Sequence, residues 1–149
     1  MSNSYTAVVN VTGEGRNGGR VQSDDRLLEA TLSYPKELGG AGTATNPEQL
    51  FAAGWAACFL GAVRKAAAER KVTLTSTEIN AQITLAHGDD GYSLAAVLNL
   101  EVGGVDDERA TELADAAHQI CPYSKAIRGN IPVSHPRHRR VTRRGTGRP

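Results

Sequence analysis

The sequence predicts a mixed α+β fold, and three observations carry that prediction. Ile79, Ala81, Ile83 and Leu85 fall at strict two-residue spacing, and so do Leu94, Ala96, Leu98 and Leu100 after the HGDDGY turn. A clear helix start at residues 45–48 opens a long apolar segment, and a second amphipathic repeat begins near residue 107. The resulting order is strands, helix, strands, helix, strand. A chain of 149 residues holds about one domain, with one buried core.

Taken in order, YTAVVNVT (5–12) is rich in β-branched residues and reads as a strand. GEGRNGGR then places four glycines within eight positions, a loop able to approach another group closely. Residues 20–33 read as a hairpin, with Asp24-Asp25 as its turn and Leu27, Ala30 and Leu32 as its apolar positions. YPKELGGAGTAT (34–45) is turn chemistry throughout.

A helix over about 46–70 follows. Thr45 or Asn46 suits its N-cap, Pro47 its first turn, and Glu48 stands in capping-box spacing from Thr45. Phe51, Trp55, Cys58, Phe59 and Ala62 form one stripe, and FAAGWAACFLGAV is uncharged, which predicts a central buried helix. The two alternating segments flank an HGDDGY turn and form a long antiparallel hairpin. Asp106 or Asp107 caps the second helix, whose Ala110, Leu113, Ala117 and Cys121 share one face, with Pro122 just beyond. A short strand near residues 130–135 completes the order.

Composition narrows the function classes. At 40% hydrophobic and 22% charged the chain is too apolar for disorder, and no window reaches 18 uncharged apolar residues, which excludes a membrane span. The N-terminus shows neither a basic leader nor a cleavage site, so a reducing, cytoplasmic setting is expected. Six of the seventeen basic residues lie in the last fifteen, leaving eleven against sixteen acids, a body of net charge −5. That balance argues against nucleic acid on the folded domain. Residues 1–134 are expected to form the domain and 135–149 a disordered basic tail; a nucleic-acid or acidic-partner arm is the functional alternative for the tail.

Cys58 and Cys121, in a reducing compartment, are not expected to be a structural staple. Periodicity leaves them either as inert core thiols or as a reactive pair. Reactivity requires a nearby cation, and Arg16 in the glycine loop is the candidate, with Glu48 able to hold its guanidinium. Two isolated cysteines without a CxxC, and scattered His87, His118, His135 and His138, are a poor metal ligand set. Serine-triad, GxxxxGK[ST] and dinucleotide-binding patterns are absent.

TNPEQLFAAGWAACFLGAV (45–63) and AAHQICPYSKAIRGNIPV (116–133) resemble the two cysteine motifs of organic hydroperoxide resistance proteins, the Ohr branch of the OsmC/Ohr family. LGGAGTATNPEQLFAAG and the GEGRNG loop extend the resemblance collinearly from about Tyr5 to Val133. It implies an intertwined homodimer with antiparallel sheets wrapped around two central helices. It also implies a thiol peroxidase that reduces organic hydroperoxides without haem, flavin or metal. By motif, Cys58 is the peroxidatic and Cys121 the resolving cysteine, joined by a Cys58–Cys121 disulfide during turnover. Arg16 is the activating arginine and Glu48 its carboxylate partner. Phe51, Trp55 and Phe59 are expected to supply apolar walls that favour organic peroxides, and dihydrolipoyl groups of a lipoylated protein, or a small dithiol, to be the external reductant. Trp55 stands where tyrosine is common, Lys125 replaces an asparagine, and the arginine-rich tail is an addition. An OsmC-type peroxidase with another peroxide preference, and a non-catalytic redox-sensing dimer, are the alternatives.

A chain truncated after Ser134 is therefore expected to keep its oligomeric state, its peroxidase rate at moderate ionic strength and its melting temperature within a few degrees. Size-exclusion chromatography and thermal unfolding check this, and monomerisation or precipitation would show that the domain extends further.

Overall fold

The structure, a computed structural model, describes residues 3–134; the expectation for residues 135–149 falls outside them. The chain divides into two compact units between Leu50 and Phe51, within one helix.

In the first unit β1 (Val9–Thr12), β2 (Arg20–Ser23) and β3 (Glu29–Thr31) form an antiparallel sheet in sequence order, with Val11 opposite Val21 and Val21 opposite Ala30. The strand expected over 5–12 pairs only from Val9 onward. Val21 and Leu32 are buried, whereas Leu27, in the turn, is 89% exposed. The β1–β2 loop contains a single 3-10 turn, Gly15–Asn17. Glycine is required at 19, where a Cβ would lie 2.6 Å from the Gly15 carbonyl oxygen.

The second unit carries most of helix α1 (Pro47–Glu69), the hairpin β4 (Ser76–Gly88) and β5 (Gly91–Gly103), helices α2 (Asp107–Ile120) and α3 (Pro122–Ile127), and β6 (Val133–Ser134). The hairpin register pairs Ile79 with Leu100, Ala81 with Leu98, Ile83 with Ala96 and Leu85 with Leu94, so both alternating sets share one face. Asp89-Asp90 make the turn without positive φ, and the residue that follows them, Gly91, takes the left-handed φ of 96° that closes a type I turn onto the next strand. β5 is the middle strand, which is why Ala96, Leu98 and Leu100 are fully covered while the same face of β4 is only half-buried. β6 pairs parallel with β5, so this sheet is mixed rather than purely antiparallel. A parallel neighbour needs a crossover, and α2 with α3 provides it.

α1 packs Trp55, Phe59, Ala62, Val63, Ala66 and Ala67 into the core with β5 and α2. The central buried helix that was expected buries one face, along its apolar stripe, while its opposite side, with Ala53, Ala57 and Gly61, is exposed. By length and composition α1 could also cross a membrane, contrary to the expectation from the charge pattern, but its large apolar side chains are spent on this core. Asp106 is the N-cap of α2, its carboxylate accepting from Arg109 N–H at 2.8 Å. Ala110, Leu113, Ala117 and Cys121 are all buried, as their spacing predicts. α3 was not expected: Pro122 does not stop the chain but begins a six-residue helix, a position where proline costs no hydrogen bond.

Leu113→Ala, which empties a fully buried site, is expected to lower stability by about 2–5 kcal/mol, and Asp106→Ala by about 0.5–2 kcal/mol through the lost cap. Denaturant unfolding of both variants measures the order; equal effects would contradict the assignment of Leu113 to the core.

Candidate functional site

In the second unit the two cysteines meet. Cys58 lies in the middle of α1, and Cys121 at the corner where α2 ends and α3 begins. Both thiols are free, and Cys121 Sγ–H donates to Cys58 Sγ at 3.3 Å. Cys121 is fully buried and Cys58 only partly, so an external oxidant reaches Cys58 first. Burial pushes the Cys58 thiol above its ordinary pKa, the Cys121 contact adds to that, and the backbone N–H of Tyr123 opposes both. The corner is fixed by its backbone: Cys121 N–H donates to Ala117 O at 2.8 Å, and Lys125 N–H to Cys121 O at 3.1 Å.

In the first unit Arg16 and Glu48 form a bidentate pair, Nη1 to Oε2 at 3.1 Å and Nη2 to Oε1 at 2.8 Å. Arg16 projects from the 3-10 turn of the glycine loop, and Glu48 is the second residue of α1. The guanidinium holds the Glu48 carboxyl below its usual range, against the opposing effect of burial. Of the two expected N-caps the structure uses Asn46, whose side chain accepts from Gln49 N–H at 2.9 Å, while Thr45 Oγ1 donates to Gln49 Oε1 at 2.6 Å; Glu48, in capping-box spacing from Thr45, pairs with Arg16 instead. The helix start is thus satisfied without Glu48, whose carboxylate is left for Arg16.

Of the three expected wall residues, Trp55 and Phe59 have no exposed surface and belong to the core, and Phe51 alone is half-buried. The correction has a physical reason. The Trp55 indole meets Phe51 edge-on at 5.9 Å and donates its N–H to Ser124 Oγ at 3.2 Å, while Phe59 packs on the His118 ring at 4.4 Å. Ser124 and the Tyr123 backbone were not singled out in the sequence, and His118 of α2 was weighed only as one of four scattered histidines; proline at the first position of a short helix was the signal that a new element carries Tyr123 and Ser124. A cleft of about 300 Å³ in the first unit, lined by residues 5–9 and 23–25, contains none of the candidate residues. Among the described residues no group of three or more His, Cys, Asp or Glu is placed to hold a metal ion.

Residues 40–135 match the family model described as OsmC-like protein. An organic hydroperoxide resistance protein of Xanthomonas axonopodis pv. citri is 48% identical over 132 residues, covering 87% of this chain and 92% of that protein. Among solved structures, an organic hydroperoxide resistance protein from Legionella pneumophila superposes with a TM-score of 0.84 at 40% identity, covering 90% of this chain and 97% of that one. OhrB of Bacillus subtilis, described as an organic hydroperoxide resistance protein, gives 0.79 at 41% identity, covering 88% and 96%.

Because the Glu48 pKa is lowered in the folded chain, its pairing stabilises the fold above the ordinary glutamate value, and that contribution is lost as pH falls through the lowered value. In Arg16→Met the Glu48 titration, followed by carboxyl carbon chemical shift, is expected to move upward toward the ordinary value. An unmoved curve would show that Arg16 does not set it.

Proposed function

This chain belongs to the OsmC-like protein family, among the organic hydroperoxide resistance proteins, and from that premise we propose that it is a thiol peroxidase that reduces organic hydroperoxides to alcohols. The observation that carries the reading is the pair of free thiols at 3.3 Å, one accessible and one buried.

The Cys58 thiolate attacks the terminal oxygen of the hydroperoxide. The O–O bond breaks, the alkoxide takes a proton and leaves as alcohol, and Cys58 becomes a sulfenic acid. Cys121 then attacks the sulfenate sulfur, the S–O bond breaks, water leaves, and a Cys58–Cys121 disulfide forms. An external dithiol reopens it by exchange, and dihydrolipoyl groups are the reductant that the motif resemblance implies.

The first step needs ionisation. Burial and Cys121 both push the Cys58 thiol up, so a thiolate at neutral pH requires an opposing positive charge. The motif resemblance assigns that charge to Arg16, whose fork of donors can also orient the peroxide, with Glu48 holding the fork. Catalysis of this kind requires no resident metal or prosthetic group.

Self-association as a homodimer is part of the proposal. Apolar side chains on the outside support it: Val9 and Val11 of β1, Tyr5 at 87% exposure, and the Ala53, Ala57 and Gly61 side of α1. A reducing, cytoplasmic setting suits a disulfide that must be reopened every turnover.

Cumene hydroperoxide is expected to be reduced faster than hydrogen peroxide with dihydrolipoamide or dithiothreitol as reductant. Cys58→Ser is expected to abolish turnover, whereas Cys121→Ser completes one oxidation and then over-oxidises at Cys58. Arg16→Ala is expected to slow peroxide reduction about 100-fold, the order lost when a preorganised donor at a developing charge is removed, and Glu48→Ala less. No turnover with any thiol, or no Cys58–Cys121 link by mass spectrometry after one equivalent of peroxide, would sink the reading.

A further inference from the structure

A buried polar network lies one helical turn from each thiol and takes no part in the chemistry above. Trp55 Nε1–H donates to Ser124 Oγ at 3.2 Å, and the same oxygen lies 3.0 Å from His118 Nδ1. Indole nitrogen is a donor only, so the serine oxygen accepts from it, while the Ser124–His118 hydrogen bond runs in the direction set by the tautomer of the imidazole. One hydroxyl therefore joins three elements: Trp55 on α1, His118 on α2 and Ser124 on α3. It is 2% exposed, where a hydrogen bond has no water to replace it.

The sequence spacing aligns this network with the thiols. Trp55 precedes Cys58 by three residues, His118 precedes Cys121 by three, and Ser124 follows Cys121 by three. Phe59 packs against the imidazole ring at 4.4 Å, and Arg128 Nη2 donates to the His118 backbone carbonyl oxygen at 2.7 Å, which ties down the end of α2. The α2–α3 corner carrying Cys121 is thus tied by a side chain to the helix that carries Cys58.

We infer that Ser124 is a positioning residue for disulfide formation, holding Cys121 against Cys58 through its bonds to Trp55 and His118. The inference rests on the peroxidase reading and concerns its second step alone. In that step Cys121 gives up its thiol proton, its sulfur attacks the Cys58 sulfenate sulfur, the S–S bond forms and the S–O bond breaks. The departing hydroxide takes up a proton and leaves as water. The sulfurs close from 3.3 Å to the disulfide length of about 2.05 Å. A held corner makes that a small displacement; a loosened one lengthens the life of the sulfenate, which further peroxide converts to sulfinate.

The test is a single-turnover reaction of the reduced full chain with one equivalent of cumene hydroperoxide, comparing wild type with Ser124→Ala and Ser124→Thr. Peroxide consumption, sulfenate trapped by dimedone and disulfide resolved by mass spectrometry are followed together. Ser124→Ala is expected to consume peroxide at the wild-type rate, to form the disulfide about tenfold more slowly, as for loss of a buried hydrogen-bonding group, and to accumulate sulfenate and then sulfinate. Ser124→Thr, which keeps the hydroxyl, is expected to recover most of the rate. His118→Leu, which leaves the serine but removes its imidazole partner, is expected to show the same selective slowing and serves if Ser124→Ala does not fold. Disulfide formation at the wild-type rate in Ser124→Ala or His118→Leu overturns the inference, as does equal slowing of both steps, which would mark general loss of packing. A wild-type chain that forms neither sulfenate nor disulfide overturns the peroxidase reading and this inference with it.

Discussion

The approach of two sulfur atoms to 3.3 Å inside a close-packed core is the constraint around which the second unit is built. A thiol is a weak donor and a weak acceptor, so the contact does not hold itself together. Packing does: burying a side chain of the size of Phe59 or Leu113 is worth about 1.5–3 kcal/mol, more than an S–H···S contact can supply. Trp55, Phe59 and Val63 seat α1, Leu113 and Ala117 seat α2, and Leu98 and Leu100 of the middle strand lie in the same cluster. Because α2 ends at Cys121, everything that places the end of that helix also places the second thiol.

The same burial that brings the thiols together works against their chemistry. Desolvation disfavours a thiolate, and the neighbouring thiol of Cys121 adds to the penalty on Cys58. Among the described residues the Arg16 guanidinium is firmly organised, its two nitrogens each matched to an oxygen of Glu48. A bidentate pair suits a positioning task because it fixes the plane of the guanidinium as well as its distance. Gln49 and Asn46 close the start of α1 between them, which frees Glu48 for that task.

Much of the fold was legible in particular residues. The spacing at 79–85 and 94–100 specified two strands and which residues share the inward face, since a slip by one residue would turn Ile79 and Leu100 to opposite faces. Asp106 announced the start of α2 by the chemistry of its carboxylate. Less legible were the short elements. α3 has six residues, too few for a period to show, and although the short strand near residues 130–135 was expected and is found as β6, its parallel pairing depends on a strand more than thirty residues away. The aromatic residues of α1 misled for a related reason. A stripe of Phe51, Trp55 and Phe59 reads the same whether it lines a pocket or fills a core, and only the arrival of Ser124 and His118 against it settles the matter.

By itself the sequence determined the mixed α+β class, the two long helices with the cysteines on their apolar sides, the long hairpin with its inward face and, through its motifs, the family. These depend on local periodicity, on cap chemistry and on short runs of residues, all of which are written along the chain. Only the tertiary structure decided that the two thiols touch, that one is covered and the other accessible, that Glu48 serves Arg16 rather than the helix cap, and that one serine hydroxyl joins three helices. Each of those facts is a distance between residues far apart in sequence, and such distances follow from how side chains fill a shared volume, which no local pattern records.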